Sequence, residues 1–305
     1  MRRITAVPTL CIAWLVLSFA CWPGTVAADQ TSDAQANGRV IFEPDVVYGQ
    51  GGDVELKMDI ARPGLAVGDG PFPAVVCIHG GAWRGGNKNR YRKLITELAK
   101  RGYVAVTVQY RLAPAHTFPA QVQDVKCAVR YLRARAAELK IDPDRIGAMG
   151  ESAGGHLSLM LGTTDSSAGL EGSGGHGEHS SRVQAVVNYF GPADLTLSYS
   201  DRVRPLLTDF IGGTPQDKPR EHKLASPVTH LTRDDPPILT LHGTVDQVVP
   251  YEQATTLHAA CEKVGVPHEL VPFEAVDHGF AGEHLLRALE LTMTFFDKHL
   301  KRGND

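Results

Sequence analysis

The chain has 305 residues, of which 43% are hydrophobic and 21% charged. That usage excludes wholesale disorder and collagen-like repetition, and the length suits one large α/β domain or two small ones. With 31 Lys and Arg against 34 Asp and Glu, the formal charge is −3, and no basic field exists to hold a nucleic-acid backbone.

In chain order, residues 1–28 read as an export signal. Arg2 and Arg3 form a positive start, residues 10–20 an apolar run, and Val26-Ala27-Ala28 a small-residue cleavage site. The run is short for a bilayer, so no membrane span is expected after cleavage. Residues 29–39 read as a flexible mature N-terminus, and residues 40–305 as a single domain. Val54, Leu56, Met58 and Ile60 alternate with polar residues, the period of a half-buried strand, and Val46-Val47-Tyr48 precedes them as the partner of an antiparallel hairpin. Continuous apolar runs follow at 74–78, 104–108, 146–149, 183–187 and 238–241, as expected for strands covered on both faces.

Amphipathic stripes separate these runs. Tyr91, Leu94, Ile95 and Leu98 make one. Val122, Val125, Val129, Leu132, Ala136 and Leu139 make a second, opened by Pro119. Tyr251, Ala254, Leu257, Cys261 and Val264 form a third, and Leu286, Leu289, Met293, Phe296 and Leu300 the last. Strands alternating with helices predict an α/β fold: a mostly parallel central sheet, an antiparallel N-terminal edge, and helices on both faces. Two segments break the alternation. Residues 166–181 are rich in Gly and Ser and read as a flexible surface loop, whose His176, Glu178 and His179 are better explained by solvation than by a metal. Residues 195–235 read as a cap-like excursion over the carboxyl ends of the strands. Cys77, Cys127 and Cys261 are widely spaced, lack C-x-x-C, and read as small buried hydrophobes. No metal and no cofactor enters this reading.

Gly150-Glu151-Ser152-Ala153-Gly154 carries the chemistry, because it follows a strand-like run and opens a helix. Such a turn strains the serine and presents its hydroxyl at the sheet's carboxyl edge, beside a helix amino end that favours negative charge. A serine hydroxyl needs a base. His278 lies just after the last strand-like run, 268–273, whereas His79 and His242 each open a glycine turn and read as loop braces. The carboxylate that orients the imidazole is expected at Asp246, after the run 238–241. Asp277 is too close in sequence to face its neighbour's ring, and Asp194 is a weaker rival. His79-Gly80-Gly81-Ala82-Trp83 follows the run 74–78, where amides of Gly80, Gly81 or Ala82, with that of Ala153, would meet an oxyanion. Trp83 reads equally as pocket wall or core, and Glu151 as a neighbour of the pocket.

Together these motifs resemble the α/β-hydrolase superfamily. The hormone-sensitive-lipase-like esterases are similar through H-G-G-x-W, G-x-S-A-G-G, Tyr110-Arg111-Leu112-Ala113-Pro114 and Ala225-Ser226-Pro227-Val228. Bacterial carbohydrate esterases that remove acetyl or feruloyl groups resemble it more closely, through H-G-G-A-W-R-G-G and H-G-T-x-D-x-x-V-P-Y. The resemblance spans residues 40–300 and implies a serine carboxylesterase with the triad Ser152, Asp246 and His278, acting on a small-molecule or polysaccharide ester. Ala82 stands where the lipase-like loop has a third glycine, and Glu151 where an aspartate is common. The alternatives are an aryl formamidase, which shares the loop and triad, and a non-catalytic surface-binding module on a hydrolase scaffold.

Overall fold

The computed structural model describes residues 38–301. The signal expected at 1–28 and nearly all of the N-terminus expected at 29–39 lie outside them. The chain opens with the hairpin β1 (Val40–Gly51) and β2 (Val54–Pro63), then β3 (Phe72–Ile78), α1 (Arg92–Lys100) and β4 (Val104–Val108). After α2 (Ala120–Ala134) and the single turn α3 (Ala136–Leu139) come β5 (Ile141–Glu151), α4 (Ala153–Thr163) and β6 (Ala185–Tyr189). The excursion contributes α5 (Arg204–Ile211) and α6 (Pro219–Leu224), and the chain closes with β7 (Ile238–Gly243), α7 (Glu252–Val264), β8 (His268–Phe273) and α8 (Gly282–Leu300).

The strands form one sheet in the order β1-β2-β4-β3-β5-β6-β7-β8. β1 and β2 are antiparallel to their neighbours and every other pair is parallel. The continuous apolar runs explain this arrangement. In β3, Ala74, Val76 and Ile78 join one core with α2 and α4, while Val75 and Cys77 join a second core with α1 and α8. Period-two alternation within a wholly apolar strand buries both faces, and helices must cover both.

Three expectations change in detail. On α8 the buried face runs through Ala288, Thr292, Phe295, Phe296 and Leu300, which leaves Leu286 of the expected stripe exposed. The stripe from Val122 to Leu139 is interrupted at Arg135, whose φ of −103° and ψ of 17° leave the helical basin. The segment 166–181 is tied down, not loose. Lys126 of α2, fully buried, donates to Glu171 Oε1 (2.8 Å), the Thr164 carbonyl (3.0 Å) and Ser181 Oγ (2.9 Å). Arg130, one turn on, donates to the second Glu171 oxygen at 2.8 Å, and Gln50 N donates to Gly174 O at 3.0 Å. Burial lowers the Lys126 pKa while Glu171 raises it, and the charge is held inside only because its partner comes with it. His179 Nε2 lies 3.4 Å from Glu178 Oε1, and among the described residues no cluster of three or more ligand side chains could hold a metal ion. The three described cysteines are free and buried. Among the described residues no helix is long and apolar enough to cross a membrane.

Candidate active site

Ser152 lies between β5 and α4 with φ 52° and ψ −120°, a conformation that costs an L-residue about 1–3 kcal/mol. Neighbouring contacts hold it there. Its amide donates to Tyr189 O of β6 (2.8 Å), and its carbonyl accepts from His156 N (3.0 Å). The turn closes only because Gly154 has no side chain, since a Cβ there would overlap the Ile78 carbonyl at the end of β3.

His278 follows β8 and Asp246 follows β7. His278 Nε2 is 3.0 Å from Ser152 Oγ, and His278 Nδ1 is 2.7 Å from Asp246 Oδ2. An imidazole that donates from Nδ1 to a carboxylate leaves its Nε2 lone pair facing the serine hydroxyl. The Asp246 carboxylate is buried, and its other oxygen accepts from Val248 N and Val249 N, each at 2.8 Å. His242 Nε2 donates to Val249 O (2.8 Å) and lies 3.4 Å from Asp246 Oδ2. Burial alone would raise the Asp246 pKa, but hydrogen bonds from His242 and His278 outweigh it and hold the group well below the usual carboxylate range. The carboxylate therefore stays ionised whenever the imidazole works.

The rivals take other roles. Asp194 Oδ1 accepts from Thr196 N and Oγ1. Asp277 Oδ1 accepts from Gln247 N (2.9 Å) and from the His278 amide (2.7 Å), so it ties the loop carrying Asp246 to the loop carrying His278. Sequence reasoning missed that clamp, since adjacency to His278 only argued against a triad role. The Phe190 ring meets the His278 ring edge to face at 4.8 Å.

Opposite the serine runs the segment after β3. Gly81, Ala82 and Trp83 hold φ of 118°, 52° and 57° in succession, and the Gly81 carbonyl accepts from Arg84 N and Gly85 N at 3.0 Å. A Cβ on Gly80 would stand 2.8 Å from Glu151 O and 3.4 Å from Ser152 Cβ, so the loop passes directly over the serine turn. Gly80 therefore lies against the serine turn, and Ala153 opens the first turn of α4 immediately after Ser152. His79 braces the loop from behind. It is stacked on Tyr110 at 4.3 Å and bonded from Nδ1 to Gly80 O at 2.8 Å, and burial lowers its pKa to about 4.

Of Trp83, read equally as wall or core, and Glu151, expected beside the pocket, neither is more than slightly exposed. Trp83 is 4% exposed, stacked on Phe210 of α5 at 4.1 Å, and donates from Nε1 to His156 Nδ1 at 3.2 Å. His156 in turn donates from Nε2 to Ala225 O at 2.7 Å, and its burial lowers its pKa to about 4. The excursion thus packs on the loop after β3 directly through Phe210 and Asp209, which pairs with Arg84 at 3.1 Å, and indirectly through His156 between Trp83 and Ala225. Glu151 is 6% exposed and committed to an ion pair with Arg90. A carboxylate that buried needs a cation, which β5 and the residues before α1 bring together.

Three comparisons bear on the chain. The family model BD-FAE matches residues 58–261. The "Probable carboxylic ester hydrolase LipM" of Mycobacterium tuberculosis is 36% identical over 217 residues, covering 69% of this chain and 49% of the relative. The chain spans about half the length of the curated relatives it matches first. Among solved structures, a truncated carbohydrate esterase from gut microbiota aligns with a TM-score of 0.73 and 30% identity, over 84% of this chain and 96% of the other. A thermophilic esterase, Est2 of Thermogutta terrifontis, aligns with a TM-score of 0.73 and 30% identity over 86% and 94%. Est2 has also been solved with propionate or butyrate bound and phosphorylated by paraoxon.

Proposed function

The chain belongs to the BD-FAE family and has the α/β-hydrolase fold, and from that premise we propose that it is a carboxylic ester hydrolase acting on short-chain or carbohydrate-linked acyl esters through Ser152, His278 and Asp246. The observation that carries the reading is the unbroken relay from buried carboxylate to imidazole to hydroxyl, 2.7 Å and 3.0 Å long, ending on a serine held at positive φ.

The chemistry follows from that relay. Ser152 Oγ attacks the ester carbonyl while His278 Nε2 takes its proton. Asp246 keeps the imidazole in the required tautomer and stabilises the imidazolium that forms. The carbonyl oxygen becomes an oxyanion against the amides of Ala153 and the Gly80-Gly81-Ala82 loop, each donor contributing about 3 kcal/mol by comparison with other hydrolases. Collapse expels the alcohol, which receives the proton from His278. Water then enters by the same route, gives its proton to His278 and frees the acid and the serine. The carbohydrate esterase and the acyl-bound forms of Est2 favour small acyl groups and a sugar alcohol as the first substrates to try.

The test is a rate series on p-nitrophenyl acetate, butyrate and octanoate, methyl ferulate and acetylated xylan, with N-formylkynurenine in parallel. The expected result is turnover of acetate and butyrate esters, little of octanoate, and none of the formamide. Faster hydrolysis of N-formylkynurenine than of every ester overturns the reading in favour of an amidase.

A further inference from the structure

Strand order sets out the functional groups along the carboxyl rim of the sheet. Asp246 and His278 follow β7 and β8, Ser152 follows β5, and the Gly80-Gly81-Ala82 loop follows β3. Beyond that loop, where β4 ends and the β1–β2 hairpin approaches, opens a separate cavity of about 580 Å³. Its volume falls within the range of small-ligand sites. Neither Ser152, Asp246 nor His278 lines it. His79 and Gly86, which line the cavity, flank the Gly80-Gly81-Ala82 loop that lies against the serine turn. A Cβ on Gly86 would stand 2.5 Å from Gly80 O and from His79 Nδ1, so the chain folds back tightly on itself there. With neighbouring strands about 4.8 Å apart, β4 and β2 stand about 10 and 14 Å from β5, the reach of a short oligosaccharide lying along the rim.

The lining chemistry narrows the ligand class. Each cation there is already neutralised: Lys88 by Asp59 and by Asp45 at 2.9 Å, Arg92 by Asp59 at 2.6 Å, Arg111 by Asp124 at 2.7 Å. A phosphate or polyuronate would find no uncompensated positive charge. What remains is a wall of planar groups suited to hydroxyls: the amides of Asn89 and Gln109, the His116 imidazole, and the partly exposed Arg92 guanidinium. Val54 and Leu112 add apolar surface against which a sugar ring can lie.

We infer that this cavity is a subsite for a neutral oligosaccharide, holding sugar units adjacent to the one whose acyl group reaches Ser152. The inference rests on the carbohydrate-ester reading above and adds to it where the polymer is gripped.

The experiment titrates the full chain with unesterified xylotetraose, cellotetraose and mannotetraose by calorimetry, and with tetragalacturonate as the anionic counterpart. Two variants accompany it: Ala115→Trp, which fills the cavity from an exposed wall position, and Asn89→Ala, which removes one amide from an exposed site. The expected result is binding of at least one neutral tetrasaccharide, weakened fivefold or more in either variant whose thermal transition matches the parent. Binding that neither variant changes overturns the inference, as does preference for tetragalacturonate. So does absence of glycan binding by a parent protein that hydrolyses acetylated xylan, and in that case the carbohydrate-ester reading survives. Absence of both glycan binding and acetylated-xylan hydrolysis removes the carbohydrate reading and this subsite with it.

Discussion

On the serine side of the site, Gly81, Ala82, Trp83 and Ser152 all hold positive φ, and the chain passes so close to itself that Gly154 and Gly80 leave no room for a methyl group. On the histidine side, neither Asp246 nor His278 is strained, and the loops after β7 and β8 are joined by hydrogen bonds. Thr244 N donates to Phe273 O (3.0 Å), Val245 N to Val276 O (3.2 Å), Ala275 N to Thr244 Oγ1 (3.0 Å) and Gln247 N to Asp277 Oδ1 (2.9 Å). The serine half is positioned by backbone conformation and excluded volume, whereas the histidine half shares that crowding at Gly243, where a Cβ would overlap the Val276 carbonyl, and adds side-chain acceptors from Thr244 and Asp277. The first should tolerate loss of a side chain and fail on gain of one. The second should also fail on loss of a side chain that accepts a hydrogen bond across its two loops.

The largest effect expected from that contrast is on folding. Gly154→Ala drives a methyl into the Ile78 carbonyl, backbone against backbone, and should cost about 3 kcal/mol or more, or prevent recovery of soluble protein. Thermal unfolding by circular dichroism measures it, and an unchanged midpoint would break the backbone half of the comparison. Next comes Asp246→Asn, which keeps the shape but removes the charge that sets the His278 tautomer. kcat/KM on p-nitrophenyl acetate should fall about 10³- to 10⁴-fold while the circular dichroism spectrum is retained. A loss below tenfold would mean that the carboxylate is not part of the working relay.

A third expectation concerns the buried histidines on the serine side. His156 stays neutral in the fold down to about pH 4, but takes up a proton near pH 6.5 when unfolded. The unfolded chain therefore binds more protons, and stability falls as pH drops through that window, by about 1.4 kcal/mol per unit for this residue. Denaturant melts at pH 7, 6, 5 and 4 should show a shallower decline for His156→Gln than for the parent. Equal slopes would show that His156 carries no such penalty. The smallest effect sharpens the histidine half. Asp277→Ala removes the acceptor shared by Gln247 N and His278 N and should lower kcat about tenfold with KM nearly unchanged, whereas Asp277→Asn retains an acceptor oxygen and should stay within about threefold of the parent. Equal losses in the two variants would mean that charge, not loop clamping, is what Asp277 contributes.

Much of this was legible in the sequence because it is written in local signals. The G-E-S-A-G turn could be read from its place between a strand pattern and a helix pattern. His278 and Asp246 could be read because each follows a strand-like run that ends at the sheet's rim. The both-face burial of β3 and β4 followed from unbroken apolar runs. What was not legible depends on contacts between distant segments. Nothing near Lys126 or Arg130 announces that Glu171, more than 40 residues away, will enter the fold with them and anchor the segment 166–181. Trp83 was undecided between wall and core because the decision belongs to Phe210 and His156. Glu151 read as a pocket neighbour because Arg90 is 61 residues away. The break at Arg135 interrupts a stripe whose side chains alone continue smoothly to Leu139.

The central claim is that the Ser152 hydroxyl, activated by His278, is the nucleophile. Incubation with a fluorophosphonate followed by intact-mass and peptide mass spectrometry tests it most directly. One adduct per chain is expected, located on the peptide containing Ser152, absent in Ser152→Ala and strongly slowed in His278→Ala. An adduct on another residue, or undiminished ester turnover by Ser152→Ala, would contradict it.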